Sequence, residues 1–372
     1  MDSFSVDWKN SENNIFMNPR WPAEVQDFFK VEITKFISQH KVSASIFIPT
    51  SGTTATDLRD TKIVWLTKEA FLKAARSVGE YFKFSSDDRV AVSLPHFHVG
   101  GLSQQARQNV WGHQLFYFLT AWNPKIFFQF LKDNRITHTS LVPTQLFDLV
   151  ALGAQAPDGM KNVFIGGGIL GQELRSRAQA LGWPLQVTYG MTETAALVAV
   201  FERDVFRPLA HAQMALNAQG FLKICANSLF KGYLKRQNEN LVLDSSSILN
   251  GWFTTEDLAE KSLDGFKILG RASDYAKING EGVYLGRLQS LMQDSWLQAE
   301  LPGFSHWILR FSDSERLGAE VHLISTLAKN EAQRAIDIFN QKVLPFERIR
   351  GFHQVQEILF TELGKVRQQG IK

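Results

Sequence analysis

The sequence predicts an α/β fold with a β-rich unit behind it and a smaller α+β unit at the end. Three observations carry this. Short apolar, partly β-branched runs alternate with helix-period segments between residues 43 and 187, as in parallel strands joined by helices. Strand-like runs and turns replace that alternation between about residues 205 and 271. Beyond Arg271, two long strand-like runs precede a last helix. The expected division is a first domain over 1–272, β-rich over about 205–271, and a second over 273–372.

Residues 1–40 are weakly patterned, with a helix over Trp21–Phe36 entering after Pro22. Ser43–Ile48 is a strand that stops at Pro49. Thr67 has the chemistry of an N-cap for a helix over Lys68–Phe82, where apolar residues recur at helical spacing. Arg89–Leu94 is a strand closed by Pro95, and Asn123-Pro124 opens a helix running to about Asn134. Thr137–Val142, Val163–Ile165 and Leu185–Val187 are strands, with helices over Pro143–Leu152 and Gln172–Leu181 between them. In the β-rich part, Phe221–Ala226, Leu241–Leu243 and Gly265–Leu269 are strands. The last unit has strands over His306–Ser312 and Ala319–Thr326 and a helix over Glu331–Lys342.

Composition narrows the function. The 372 residues suffice for two or three units with real cores, and 44% apolar with 21% charged residues is a globular balance. The net charge of +3, with both signs intermixed, gives no footprint for nucleic acid. A single cysteine, Cys225, excludes an internal disulfide and a cysteine zinc site, and its place in a strand predicts a buried structural thiol. The nine histidines lack metal-ligand spacing. No apolar run is long enough to span a bilayer, and residues 1–14 lack a signal-peptide core, so the cytoplasm is the expected compartment.

Six strings carry chemistry. Tyr189-Gly190-Met191-Thr192-Glu193-Thr194-Ala195 follows a strand and sets a hydroxyl beside a carboxylate. The hydroxyl suits a phosphate oxygen and the carboxylate a divalent cation; the ordinary alternative is a strand-to-helix turn capped by Thr192. Thr50-Ser51-Gly52-Thr53-Thr54 offers N–H and O–H donors to phosphates, or is a common hydroxyl-rich turn. Pro95-His96-Phe97-His98-Val99-Gly100-Gly101-Leu102-Ser103 pairs histidines with glycines after a strand. Gly166-Gly167-Gly168 lets backbone approach a flat ring or a phosphate, or makes a tight turn. Gly251-Trp252-Phe253-Thr254-Thr255-Glu256-Asp257-Leu258, with Gly270-Arg271, sets an aspartate and an arginine where ribose hydroxyls could be held, or forms a surface ion pair. Glu362-Leu363-Gly364-Lys365-Val366-Arg367 ends the chain with a lysine, most often a solvated charge.

In this order, from about residue 45 to 370, the strings resemble the adenylate-forming superfamily of acyl-CoA and aryl-CoA synthetases, luciferases and peptide-synthetase adenylation domains. The histidine string is most similar to the 2-succinylbenzoate–CoA ligase branch of menaquinone biosynthesis. The resemblance implies a two-step ligase with ATP and CoA as co-substrates, Mg²⁺, and a carboxylic acid that is adenylated and then transferred to CoA. A CoA ligase for another aryl or medium-chain acid, or a non-catalytic binder of AMP or an acyl-adenylate, stays open. A homodimer is compatible with it.

Residue by residue, the resemblance implies that Thr50, Ser51, Gly52, Thr53 and Thr54 hold the β- and γ-phosphates. Thr192 binds the α-phosphate and Glu193 holds Mg²⁺. Gly166, Gly167, Gly168, Tyr189 and Gly190 lie about the adenine. Asp257 and Arg271 bind ribose. Lys365 bridges the α-phosphate and the attacking carboxylate. His98 gates the acyl pocket, with Ser103 and Arg107 as candidates for a second substrate carboxylate. Lys277, Gly280 and Gly282 belong to the loop that meets CoA, and Ser273 is the hinge of a mobile C-terminal domain. Three departures stand out. Ala55-Thr56-Asp57 replaces the usual lysine-bearing continuation of the phosphate loop, and no lysine follows until Lys62. Glu256 replaces a glycine before Asp257, and Ser273 replaces an aspartate or lysine. The phosphate loop begins at residue 50, so the N-terminal region is short for the superfamily.

Overall fold

The computed structural model describes residues 5–50, 57–360 and 366–371. The chain opens with strand β1 (Asn14–Ile15), helix α1 (Ala23–His40) and strands β2 (Ser45–Pro49) and β3 (Ile63–Thr67). Val25, Phe29, Ile33 and Phe36 recur at helical spacing on α1 and pack on Phe47 and Ile63 of the adjoining strands. Helix α2 (Lys68–Phe82) has the predicted bounds. Thr67 Oγ1 accepts from the Ala70 N–H at 3.1 Å, satisfying one of the donors that a helix start leaves over.

An alternation of strand and helix follows: β4 (Arg89–Val92), α3 (Val99–Trp111), β5 (Gln114–Tyr117), α4 (Pro124–Asp133), β6 (His138–Leu141), α5 (Pro143–Ala151), β7 (Asn162–Ile165), α6 (Gln172–Ala180) and β8 (Leu185–Met191). The strands pair in parallel in the order β5-β4-β6-β7-β8. Asn123 caps α4, its side chain accepting from the Lys125 and Ile126 N–H groups at 3.0 and 3.2 Å. Helix α3 falls where the sequence analysis assigns no element. Its first turn contains Gly100 and Gly101, poor helix formers. Gly101 is there for space: a Cβ would lie 2.3 Å from the Pro95 carbonyl oxygen.

The β-rich part comprises β9 (Ala196–Glu202), β10 (Val205–Pro208), β11 (Ala212–Leu216), β12 (Phe221–Ala226), β13 (Gly232–Gln237), β14 (Asn240–Asp244), β15 (Ile248–Leu249), β16 (Trp252–Ser262) and β17 (Gly265–Arg271). Most of these extend the parallel sheet with antiparallel strands, in the order β8-β9-β10-β17-β16-β12-β11, with β15 beside β16. The remaining two complete a separate sheet, β1-β2-β3-β13-β14. Cys225 on β12 is half-buried rather than buried, its strand alternating buried and partly exposed positions.

The last unit holds the hairpin β18 (Tyr275–Ile278) and β19 (Glu281–Tyr284), helix α7 (Leu285–Gln298), β20 (Trp307–Ser314), β21 (Gly318–Ser325), helix α8 (Lys329–Lys342), β22 (Ile349–Gln354), β23 (Ile358–Phe360) and β24 (Val366–Ile371). Its sheet runs β20-β21-β22. One apolar core joins this unit to the parallel layer, with Trp183 and Trp296 both fully buried in it. Phe147 and Phe304 meet across the junction with ring centroids 4.1 Å apart. Gln293 and Asp294 on α7 accept from the N–H groups of Gly171 and Glu173, each at 3.0 Å.

Candidate nucleotide site

Strand β8 is where the large sheet changes character. Its first half, Leu185–Val187, pairs in parallel with β7; its second half, Thr188–Met191, pairs antiparallel with β9. Because β7 ends at Ile165 and the chain turns away through Gly166–Gly168, the second half of β8 lies beyond the carboxyl end of its parallel neighbour. Open α/β sheets bind ligands at such changes of strand direction. Gly167 has φ +77°, which a side chain would strain. Gly190 is required for a different reason: a Cβ there would stand 2.0 Å from the Ala196 carbonyl oxygen on β9.

Several candidate residues converge here. Tyr189 OH donates to Asp257 Oδ2 at 2.6 Å, and Asp257 and Arg271 face each other across β16 and β17. The Arg271 guanidinium lies 3.8 Å from both Asp257 and Glu256. Thr192 and Glu193 form a single 3₁₀ turn after β8, braced by Thr194, whose hydroxyl accepts from the Met191 N–H at 3.2 Å and donates to the Ala196 carbonyl at 2.8 Å. Tyr233 OH donates to Glu193 Oε1 at 2.8 Å. Burial, and next the charges of Asp257 and Glu193 respectively, push both phenols above their ordinary range, so they stay protonated donors. Tyr233 was not singled out in the sequence, because nothing local relates it to a carboxylate forty residues earlier. Thr50 follows β2, its N–H donating to the Lys62 carbonyl at 2.9 Å. Ser51, Gly52, Thr53, Thr54 and Lys365 lie outside the described residues.

The acyl-pocket candidates lie along α3. His98 is the residue before its first turn, buried, with its ring 4.6 Å from that of Phe97. Ser103 donates to the Gly100 carbonyl at 3.1 Å, so its hydroxyl proton is spent on its own helix. Arg107 is only 5% exposed, forms no ion pair among the described residues, and lies 5.9 Å from both the Phe84 and Phe164 rings. Its Nε has no hydrogen-bond partner among the described residues. Burial lowers its pKa to about 10, so it remains a cation at neutral pH. His113 lies against the same Phe84 ring, 1% exposed, with neither ring nitrogen partnered among the described residues. The sequence offers no signal for it. Lys277, Gly280 and Gly282 sit on the β18–β19 hairpin, which docks on the turn before β21 through Asn279 N–H to the Leu317 carbonyl, 2.8 Å. Ser273 occupies the short turn Ala272–Asp274 that precedes this hairpin.

A family profile described as AMP-binding enzyme matches residues 16–226, more than half of the chain. The chain belongs to the AMP-binding enzyme family. Among curated relatives, it is 26% identical over 292 residues to a 2-succinylbenzoate–CoA ligase of Bacillus licheniformis, covering 72% of this chain and 58% of that protein. It is 25% identical over 335 residues to the ligase of the same name from Staphylococcus aureus, covering 86% and 65%. The chain thus spans well under two thirds of the Bacillus relative's length. Among solved structures, it resembles o-succinylbenzoate coenzyme A synthetase (MenE) of Bacillus subtilis in complex with ATP and magnesium ion, with TM-score 0.77, 18% identity, and 96% of this chain and 83% of that one covered. The acyl-adenylate complex of the Bacillus subtilis protein gives TM-score 0.73 at 20% identity, covering 87% and 68%. These likenesses establish the mixed α/β fold of an adenylate-forming enzyme.

Proposed function

We propose that this AMP-binding protein is an AMP-forming acid–CoA ligase whose acid is an aromatic dicarboxylate, with 2-succinylbenzoate as the first candidate. The observation that carries the reading is the convergence of Tyr189, Asp257, Arg271 and the Thr192–Glu193 turn at the change of strand direction. In the first step a substrate carboxylate oxygen attacks the α-phosphate of ATP, a P–O bond forms, and the bond to pyrophosphate breaks. In the second, the CoA thiolate attacks the acyl carbon and AMP leaves. Both steps bring anions together, so positioning and offset charge supply the rate.

Asp257 accepts from the ribose hydroxyls, held in place by Tyr189 and flanked by Arg271. The Thr192 hydroxyl and the surrounding N–H groups receive the α-phosphate. Glu193 is an oxygen donor fixed by Tyr233, and a single carboxylate suits Mg²⁺, which takes one or two carboxylates and fills its shell with phosphate oxygens and water. Bound there, the ion offsets phosphate charge. Lys365 joins the α-phosphate and the incoming carboxylate. The 1–272 and 273–372 division, with Ser273 as hinge, lets the C-terminal unit serve the two steps in turn.

Arg107 supports the dicarboxylate. A buried guanidinium whose Nε has no partner among the described residues can receive an anion, and it lies nine residues, about 14 Å of helix, beyond His98. The test is release of AMP and acyl-CoA from ATP, Mg²⁺, CoA and a panel of acids, read by mass spectrometry. Selective 2-succinylbenzoyl-CoA formation is the expected result. Product from a monoacid alone would overturn the dicarboxylate reading. No product from folded protein that still binds AMP would make it a nucleotide-binding homologue.

A further inference from the structure

Helix α6 begins without a cap of its own. Gly171 precedes its first turn and has no side chain to accept from the N–H groups that a helix start leaves over. Side chains of the C-terminal unit accept instead. Gln293 Oε1 on α7 takes the Gly171 N–H, and Asp294 Oδ1 takes the Glu173 N–H, each at 3.0 Å. Asp294 is 8% exposed, and a carboxylate suits the positive end of a helix. The approach is close enough to require glycine: a Cβ on residue 171 would stand 2.3 Å from Asp294 Oδ1.

Gln293 also bonds in the other direction. Its Nε2 donates to the Ile169 carbonyl at 3.2 Å. One amide therefore holds both ends of Ile169–Gly171, and its two partners fix which of its atoms is the oxygen. The Ile169 side chain is confined as well, since a Cβ on Gly286, in the first turn of α7, would stand 2.9 Å from Ile169 Cδ1. Residue 169 directly follows Gly166–Gly168, the segment that the ligase reading sets beside adenine. The chain leaving those glycines is thus tied to the C-terminal unit one residue later. Farther along α7 the contact opens into a groove of about 470 Å³, lined among others by Phe147, Leu181, Leu297 and Leu301. Apolar packing is incomplete there, which puts weight on the Gln293–Asp294 end.

We propose that Gln293 and Asp294 are positioning residues that couple the glycine segment of the nucleotide site to the placement of the C-terminal unit. The proposal rests on the ligase reading, in which that unit serves two steps in turn. In the placement seen here, the clasp holds Ile169–Gly171 in order before a nucleotide arrives. When the unit turns away, both N–H groups lose their acceptors and the segment loosens. Such coupling is reciprocal: what the clasp adds to nucleotide binding, the nucleotide adds to the clasp. The clasp belongs to one placement only, so its loss burdens the two half-reactions unequally.

The experiment has two arms, run on the full chain as wild type, Gln293→Ala, Gln293→Glu, Asp294→Ala and Asp294→Asn. The first arm needs no turnover. It measures hydrogen exchange at the Gly171 and Glu173 amides with and without AMP, and AMP affinity by calorimetry. AMP should slow exchange at both amides of wild type about tenfold. Gln293→Ala should remove most of that protection and weaken AMP roughly 3–10-fold. Asp294→Asn keeps an acceptor and should retain most of the wild-type behaviour. Gln293→Glu keeps the acceptor but loses the donor to Ile169, so it should lie between wild type and alanine, and it serves if the alanine variant does not fold. The second arm compares pyrophosphate release from ATP and 2-succinylbenzoate with thioester formation from supplied 2-succinylbenzoyl-adenylate and CoA. In Asp294→Ala one rate should fall about tenfold and the other less than about twofold. Equal falls in both, with AMP affinity unchanged, would make the clasp a purely structural contact and overturn the proposal. Protection by AMP that survives Gln293→Ala undiminished would overturn it too. A folded wild type that binds AMP but forms no adenylate sinks the ligase reading, and the exchange arm then decides the clasp by itself.

Discussion

Acidification should destabilise this protein through three buried histidines. His113, His138 and His211 are 1%, 0% and 9% exposed, and burial before any other cause lowers each pKa from 6.5 to about 4. For His113 the nearby Arg107 charge adds to burial; for His138 the Asp88 carboxylate opposes it. His138 is held neutral by its partners, Asn162 Nδ2 donating to Nε2 at 3.1 Å while Nδ1 bonds the Thr137 hydroxyl at 2.8 Å. Between pH 6.5 and 4 the unfolded chain binds protons that the folded chain refuses. Stability is therefore intact above pH 6.5, falls as pH drops through that window, and levels off for these groups below about 4. Each histidine should cost about 1.4 kcal/mol by about pH 5.5 relative to about pH 8, and the three together about 4 kcal/mol. That is a large share of a typical stability of roughly 5–15 kcal/mol. The assay is urea unfolding at both pH values for wild type, His113→Phe and His211→Phe. Comparing each variant with wild type cancels the carboxylates common to both. Each variant should gain about 1.4 kcal/mol on wild type between about pH 8 and pH 5.5, whatever its stability at the higher pH. Parallel pH curves for variant and wild type would refute the assignment of a buried neutral imidazole.

Four other outcomes follow from particular contacts. Lys68 is 2% exposed and donates to the Asp7 carbonyl at 2.6 Å and to Asn10 Oδ1 at 2.5 Å, so Lys68→Met should cost about 1–3 kcal/mol and speed proteolysis near residues 5–12. Tyr189→Phe removes the hydroxyl that orients Asp257 and should weaken AMP binding about tenfold, measured by calorimetry, with the melting temperature changed by only a few degrees. Gly190→Ala forces β8 from β9 at a 2.0 Å approach and should lower stability by about 3 kcal/mol or more and abolish adenylate formation, read by denaturant unfolding and pyrophosphate release. Arg107→Met removes a buried charge with no ion pair among the described residues. It should leave the ligand-free protein equally or more stable, by up to about 2 kcal/mol, while raising KM for a dicarboxylate far more than for benzoate; a stability loss would place an undetected partner on the guanidinium.

Legibility in the sequence followed the range of the interaction. The bounds of α2 were readable because Thr67, a polar side chain three residues before the N–H it caps, writes the signal locally. The parallel strands β4, β6, β7 and β8 were readable because they are short apolar runs between helices, whereas the edge strand β5 was not assigned. Helix α3 was not, because a close approach to the Pro95 carbonyl places glycine where helix propensity forbids it. Strands β9 and β16 escaped because their pairing partners, not their own composition, keep them extended. The strings of the site were visible as strings. Their convergence was not, since Tyr189 meets Asp257 across 68 residues and Glu193 meets Tyr233 across 40.

The site departs from regular local structure for a reason that the sheet itself supplies. A strand whose neighbours run parallel on one side and antiparallel on the other has two independent ladders, which can end at different residues. In strand β8 they do, the chain losing β7 at Ile165 and shifting register against β9 between Tyr189 and Gly190. The shift leaves Tyr189 aimed at Asp257 and carries the chain directly into the Thr192–Glu193 turn. The turn is strained on its far side, with Ala195 and Ala196 at φ +53° and +92°, where glycine would be easier. Thr194 and the β9 ladder brace the turn in this conformation. On the proposed ligase reading, the braced Thr192–Glu193 turn would set where the reacting phosphate lies, with Tyr233 holding Glu193 in place.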